Sequence, residues 1–220
     1  MSFPLRLLTK SDAGYAALVA AMFAVGGLVW PGLPARVPIH WGINGEPNGW
    51  GSALMSVLML PLMAVGIWVI MIIVPAVDPY RENILSSRVA YGRLRLALAA
   101  FMGVLQATTL AASSGYVVPV AKVTMVMVAA LFAVIAEVLP HIKRNFTVGL
   151  RLPWTIVSEE VWNATHRHAK TTFLAAALLI AVGALFASPV GFVVLLVVVL
   201  FAVGEVSYFA WHLERRRHAP

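Results

Sequence analysis

The sequence contains no cysteine and few charged residues. The absence of cysteine excludes disulfide bonds, cysteine-ligated zinc sites and thiol catalysis. Asp, Glu, Lys and Arg together make up only 11% of the 220 residues, whereas soluble domains carry about 25%. The sequence is 61% hydrophobic, and its mean hydropathy is +0.88. A soluble domain of this length could not bury so many hydrophobic side chains. We therefore expect an integral membrane protein.

Acidic residues are scarcer than basic ones, and the formal net charge is +7. The basic residues flank apolar runs, where they direct membrane topology and contact anionic lipid headgroups. Membrane lipid, and not nucleic acid, is the expected partner. The sequence also lacks a Walker motif, a GxGxxG fingerprint and a GxSxG elbow. No cofactor, bound metal or catalytic residue is expected.

Six runs are apolar enough to cross a bilayer, which takes about 20 residues in a helix. They cover approximately residues 12–30, 53–77, 94–113, 117–139, 171–187 and 190–212. The predicted fold class is therefore all-α: a polytopic helical membrane protein with six transmembrane helices. We expect residues 1–220 to form one integral membrane domain.

Basic residues predict the orientation, because cytoplasmic loops are enriched in Lys and Arg. The two termini and the predicted loops on the same side of the membrane contain Arg6, Lys10, Arg81, Arg88, Arg93, Arg95, Lys143, Arg144, Arg151, Arg167, Lys170, Arg215, Arg216 and Arg217. The opposite faces hold Arg36, and Lys122 lies within the fourth run. Both termini are thus predicted to be cytoplasmic, which agrees with an even number of crossings.

The predicted outer loop, residues 31–52, reads PGLPARVPIHWGINGEPNGWGS. Its four prolines exclude a regular helix, and its two Asn-Gly pairs are typical of turns. We expect an ordered cap on the outer leaflet. His40 either holds a turn by hydrogen bonding to a backbone carbonyl or takes part in ligand or proton handling.

The predicted cytoplasmic loop, residues 140–170, contains a short amphipathic helix that begins after Ser158. Ser158 is a suitable N-cap, and Glu159 and Glu160 fall in the first turn, where negative charge is favourable. Helical spacing places Glu159, Trp162 and His166 on one face, and it places Glu160, Asn163 and Arg167 on another. The two histidines, His166 and His168, lack the one-turn separation of an HExxH zinc site. The helix is either a structural anchor, a binding or signalling surface, or a metal or catalytic site.

Two acids lie near the cytoplasmic ends of predicted spans, Glu137 in the fourth and Glu205 in the sixth. Ionisable residues in membrane spans are costly and are functional candidates. We expect them to form a polar cluster with His141 and His212 where Glu159 and His166 dock. Such a cluster suits proton relay, cation binding or structural hydrogen bonding.

Two motifs resemble the SdpI family of bacterial membrane proteins with its N-terminal domain of unknown function. They are LPARVPIHWGINGEPNGWGS in the outer loop and NFTVGLRLPWTIVSEEVWNATHR in the cytoplasmic loop. The matching positions are Pro38, His40, Gly45, Pro47, Gly49, Asn145, Gly149, Arg151, Pro153, Trp154, Thr155, Val161, Trp162, Thr165, His166 and Arg167. Asn48 stands where many family sequences carry Asp, so this chain lacks a carboxylate there.

The resemblance implies a non-enzymatic protein of the bacterial or archaeal cytoplasmic membrane. Its expected role is immunity to a membrane-active toxin peptide at the outer face, together with signalling by holding a transcriptional repressor at the membrane. The alternative is a small ion- or proton-coupled transporter that uses the Glu and His residues on the cytoplasmic side. An intramembrane hydrolase is a third hypothesis, but no nucleophile or metal set has suitable spacing.

Overall fold

A computed structural model describes residues 3–186 and 188–217, which form a helical bundle with one small hairpin. The helices are α1 (Phe3–Arg6), α2 (Lys10–Val29), α3 (Ala53–Ile73), α4 (Arg81–Ser86), α5 (Arg88–Ser113), α6 (Val120–Val138), α7 (Pro153–Val157), α8 (Glu159–Gly183) and α9 (Ser188–Arg217). The strands are β1 (Arg36–Trp41) and β2 (Pro47–Ser52).

Three of the long helices end in the same way. Short 3₁₀ turns follow α2, α3 and α6, and each turn has a proline at its second position: Pro31, Pro75 and Pro140. Proline has no backbone N–H and clashes with the preceding turn of an α-helix. The apolar runs therefore stop as helices where a proline follows them.

Five helical segments are long and apolar enough to cross a membrane: Lys10–Gly32, Ala53–Val77, Arg88–Ser113, Val120–His141 and Pro189–Arg217. The predicted run 171–187 is not among them. Its residues up to Gly183 form the C-terminal part of α8, which starts at Glu159, and residue 187 lies outside the described residues. The predicted cytoplasmic helix and the predicted fifth span are thus one continuous helix.

The predicted outer loop is ordered, but it is not purely loop. Strands β1 and β2 pair in antiparallel fashion, with Arg36 opposite Ser52 and His40 opposite Gly49. The structure therefore departs from the predicted all-α class by one hairpin, although the chain is mostly helical. The alternation of residues over RVPIHW allows one side of the strand to face the bundle, and Val37 is fully buried.

The long helices form two groups that share a seam. Helices α2, α3 and α5 pack together, and so do α6, α8 and α9, while α5 also packs against α6. The first group buries Tyr15, Met22, Ala64, Ala99 and Met102. The second buries Ala136, Phe173, Ala176, Ala202 and Val206. Small residues at these contacts let helix backbones approach closely, as expected within a membrane.

Candidate functional site

The segment between α6 and α8 is folded by its own polar side chains. Asn145 is fully buried, and its Oδ1 accepts hydrogen bonds from the backbone N–H groups of Thr147 (2.8 Å) and Val148 (2.7 Å). Thr155, also fully buried, accepts from the N–H of Leu152 at 2.9 Å. Asn and Thr side chains replace backbone partners in turns. These bonds explain how a segment with little regular secondary structure keeps a fixed conformation.

Trp162 and His166 form the centre of this segment. Their rings stack with centroids 4.2 Å apart, and their exposed fractions are 0% and 1%. The indole Nε1 of Trp162 donates to the carbonyl of Ile142 at 2.7 Å. His166 Nδ1 lies 2.8 Å from the carbonyl of Trp162, while Nε2 accepts from the N–H of Leu150 at 3.1 Å.

These contacts define the protonation state of His166. A carbonyl only accepts and a backbone N–H only donates, so Nδ1 carries the proton and Nε2 is bare. Burial lowers the pKa of His166 to about 4, although the hydrogen bond to the Trp162 carbonyl acts in the opposite direction. The imidazole is therefore neutral at physiological pH and joins the loop to α8.

Gly149 allows the loop to lie against these rings. Its φ angle is 118°, a conformation that other residues rarely adopt. A Cβ at this position would lie 2.7 Å from His166 Nε2 and 2.9 Å from Trp162 Cζ2. Both the backbone conformation and the available space therefore require glycine here.

The segment is also bonded to the chain around α4. Asp78 Oδ2 accepts from the N–H of Phe146 at 2.9 Å and from the hydroxyl of Thr147 at 2.6 Å. Asn83 Nδ2 donates to the carbonyl of Arg144 at 2.8 Å. The loop between α6 and α8 is thus fixed to both groups of helices.

The residues predicted to share one face of α8 differ in burial. Ser158 is the N-cap, and its hydroxyl accepts from the N–H of Val161 at 3.2 Å, as predicted. Trp162 and His166 are buried, whereas Glu159 is exposed. Glu159 therefore does not share the docked face, because it lies at the very start of the helix.

The prediction that Glu159 and His166 dock against Glu137 and Glu205 is wrong. Glu205 Oε1 lies 2.6 Å from His168 Nε2, and its Oε2 accepts from Thr172 at 2.9 Å. The histidine that meets Glu205 is thus His168 and not His166. His166 instead points into the loop because Gly149 leaves room for its ring.

The other acids pair singly with basic residues. Glu137 accepts from Lys170 at 3.0 Å, and the Arg217 Nε lies 3.0 Å from Glu160 Oε2. His141 is exposed, while His212 stacks on Tyr208 with centroids 5.9 Å apart. The predicted single polar cluster is therefore replaced by separate pairs along α8 and α9.

The remaining candidates of this segment lie near the surface. Arg151 Nη1 donates to the carbonyl of Phe146 at 2.7 Å and is exposed. Trp154 is half-buried beside Trp211 and Arg215. Arg167 is exposed and makes no hydrogen bond or ion pair within the part of the chain that the structure describes.

The hairpin brings together two candidates from the outer loop. His40 Nδ1 lies 2.5 Å from Asn48 Oδ1, and both side chains are exposed. Gly49 lies opposite His40, where a Cβ would come within 2.8 Å of the His40 Cβ. His40 thus contacts a side-chain amide and not the backbone carbonyl considered in the sequence analysis.

A buried ion pair was missed by the sequence analysis. Arg95, which was counted as a loop cation, lies in α5 with no exposed surface, and its Nη2 is 2.7 Å from Asp12 Oδ2. Trp68 Nε1 also donates to Asp12 at 3.1 Å. Opposite charges at the ends of two apolar runs were the available signal, since charges within membranes pair with one another. Without Arg95, the basic residues are still concentrated on the predicted faces that include both termini.

No group of three or more His, Cys, Asp or Glu residues suited to a metal ion occurs among residues 3–186 and 188–217. The arrangement around α8 consists of hydrogen-bonded pairs and a neutral histidine. These contacts are those of a structural scaffold whose edge is exposed.

The long apolar helices define a multi-pass helical membrane protein. Two family models match it. Residues 17–65 match a domain of unknown function, DUF1648, and residues 141–209 match the SdpI/YfhL protein family. The chain is 23% identical over 199 residues to the immunity protein SdpI of Bacillus subtilis (strain 168), covering 90% of this chain and 93% of that protein. No solved structure matches.

These matches support the SdpI family with an N-terminal DUF1648 region, as the motifs predicted. The two matched regions contain the hairpin and the segment around Trp162 and His166.

Proposed function

We propose that this protein protects its cell against a membrane-active toxin peptide, without catalysing a reaction. The observation that carries the proposal is the similarity to an immunity protein over 90% of this chain and 93% of the relative. The similarity spans both the hairpin and the cytoplasmic segment, so it includes every ordered feature outside the helices.

The proposal includes six membrane crossings with both termini in the cytoplasm. The segment 143–157 is rich in basic residues, and α8 begins just after it at Glu159. Only a short connection separates α8 from α9, and the two helices pack together. If α9 crosses the membrane, the end of α8 must lie at the outer side, so α8 crosses as well.

In this topology the toxin peptide meets the hairpin end of the bundle. His40, Asn48 and Trp50 are exposed there, and Trp50 lies beneath the guanidinium of Arg36 at 6.0 Å. Aromatic and basic groups at a membrane surface suit contact with an amphipathic peptide. The cytoplasmic segment lies on the opposite side and cannot meet an external peptide directly.

The test is expression in a bacterium sensitive to membrane-depolarising peptides, with survival and membrane potential as readouts. The chain is expected to protect against at least one such peptide, and Trp50→Ala should reduce this protection at unchanged protein level. Trp162→Ala is unsuitable as a functional variant, because Trp162 is fully buried and its loss would unfold the segment. Unchanged killing across a panel of peptides would contradict the proposal.

A second role is proposed for the cytoplasmic face, where a repressor protein would be held. The supporting observation is that Arg167, a residue of the second motif, is exposed while Trp162 and His166 of the same motif are buried. Arg167→Ala should leave protection intact and release repression of a reporter gene. Loss of both functions in this variant would indicate that Arg167 has a structural role instead.

The transporter alternative is less favoured. Glu137 and Glu205 both contact α8 residues, Lys170 and His168, and the side chain of Glu137 is 57% exposed. A coupling acid would be expected along a polar path through the bundle, whereas these acids pair at its end.

A further inference from the structure

A cavity of about 380 Å³ lies directly under the hairpin, between the ends of four helices. Residues of β1 and the following turn form its roof, and residues of α3, α5, α6 and α9 form its walls. The apolar side chains include Ile39, Leu60, Leu105, Met125, Phe192 and Leu195. The volume falls within the range of ligand pockets, about 300–1,000 Å³.

The lining offers little to a polar ligand. Three hydroxyl groups face this region, and each donates to a carbonyl of its own helix: Ser56 to Ala53 at 2.8 Å, Thr109 to Gln106 at 3.0 Å and Thr124 to Val120 at 2.9 Å. A buried water needs two to four polar partners. The cavity therefore neither holds ordered water well nor pairs with a polar molecule.

The cavity is open on one side. Helix α5 packs between α3 and α6, and α9 packs on α6, but no packing of that extent joins α3 and α9 among the described residues. Ile43 and Phe192 line the cavity and are 58% and 42% exposed. In a bilayer, the gap between α3 and α9 faces the hydrocarbon of the leaflet on the hairpin side.

We propose that this cavity binds one acyl chain of a membrane phospholipid, which enters sideways between α3 and α9. An empty apolar cavity leaves its walls without contacting atoms, and hydrocarbon is the apolar material beside the opening. A peptide segment would bring many backbone N–H and C=O groups, for which the lining offers few partners. The headgroup would lie at the level of the hairpin, near His40 and Trp41.

The test uses the full-length protein in bilayers that contain a phospholipid with a photoactivatable diazirine near the end of one acyl chain. After illumination, crosslinks are mapped by mass spectrometry. Met125 is the reporter of the cavity because it lines it and is only 5% exposed. Phe201 on α9 is 71% exposed and reports contact with bulk lipid. Labelling of Met125 is expected to equal or exceed that of Phe201.

Variants make the test specific. Ala121 lines the cavity, so Ala121→Trp should reduce Met125 labelling at least fivefold and leave Phe201 labelling unchanged. Ala107 lines a separate apolar groove between α2 and α5, and Ala107→Trp serves as the matched control, with no change at Met125. If Ala121→Trp does not fold, Thr109→Leu fills less space and should still reduce labelling about twofold.

Two results would overturn the proposal. One is labelling confined to exposed residues such as Phe201, which would mean bulk lipid contact only. The other is equal loss of Met125 labelling in the Ala121 and Ala107 variants. Neither readout uses a toxin peptide, so the outcome is independent of the proposed immunity function.

Discussion

The two ends of the bundle carry the two family motifs, but they use them differently. In the segment between α6 and α8 and at the start of α8, Asn145, Thr155, Trp162 and His166 are buried, and each side chain forms a hydrogen bond with a backbone group of that segment. In the hairpin, the contact between His40 and Asn48 is exposed. These four motif residues are thus structural requirements at one end, whereas His40 and Asn48 are accessible groups at the other.

The difference shows that a long motif match does not identify a reactive site. Buried polar groups must find partners, so a segment with little helix or strand needs particular side chains at particular positions. The cytoplasmic motif meets that need. The hairpin meets it with backbone pairing, which leaves its side chains available for contact with other molecules.

Gly149→Ala is the variant expected to have the largest effect. A methyl group would lie 2.7 Å from His166 Nε2, at a φ of 118°. Backbone strain and overpacking together should cost about 3 kcal/mol or more. Gly115→Ala is the matched control, because Gly115 also has a positive φ of 90° but has open space around it, and its cost should be about 1 kcal/mol. Thermal unfolding in detergent measures both, and equal losses would contradict the assigned role of Gly149.

Acidification should destabilise the cytoplasmic segment through His166. Its folded-state pKa of about 4 lies below the ordinary value of 6.5, so between these values the unfolded chain binds a proton that the folded chain does not. Stability is therefore retained above pH 6.5 and lost as pH falls, by about 2 kcal/mol at pH 5.

His166→Gln removes this titration and should flatten the pH dependence of the melting temperature between pH 7 and pH 5. Its stability at pH 7 will be lower, because an amide fills the imidazole site less well. The slope, and not the absolute value, is the measurement. The same slope in wild type and variant would assign the acid sensitivity to another group.

His40→Ala should have the smallest effect on stability, at most about 0.5 kcal/mol, since surface substitutions generally fall within this range. Asn48→Ala should behave in the same way, because it removes the other partner of the same exposed hydrogen bond. Both are measured by thermal unfolding beside Gly149→Ala. A loss as large as that of Gly149→Ala would mean that the hairpin is as structurally constrained as the cytoplasmic segment.

Local patterns predicted several features correctly. The Ser158 N-cap, the acids in the first turn of α8 and the ordered outer loop all follow from short-range chemistry. The pairing of His168 with Glu205 did not follow, because helical spacing assigns faces but does not say which face meets α9. The Asp12–Arg95 pair joins residues far apart in the chain, and its arginine resembled an ordinary cation flanking a span.

Sequence alone was enough to predict a helical membrane protein that resembles the SdpI family. Hydropathy depends only on composition along the chain, and the two motifs are local strings. The tertiary structure alone decided which motif residues are buried, which acids are paired and that a cavity lies beneath the hairpin. These properties depend on the rotation and spacing of packed helices, which local sequence patterns do not specify.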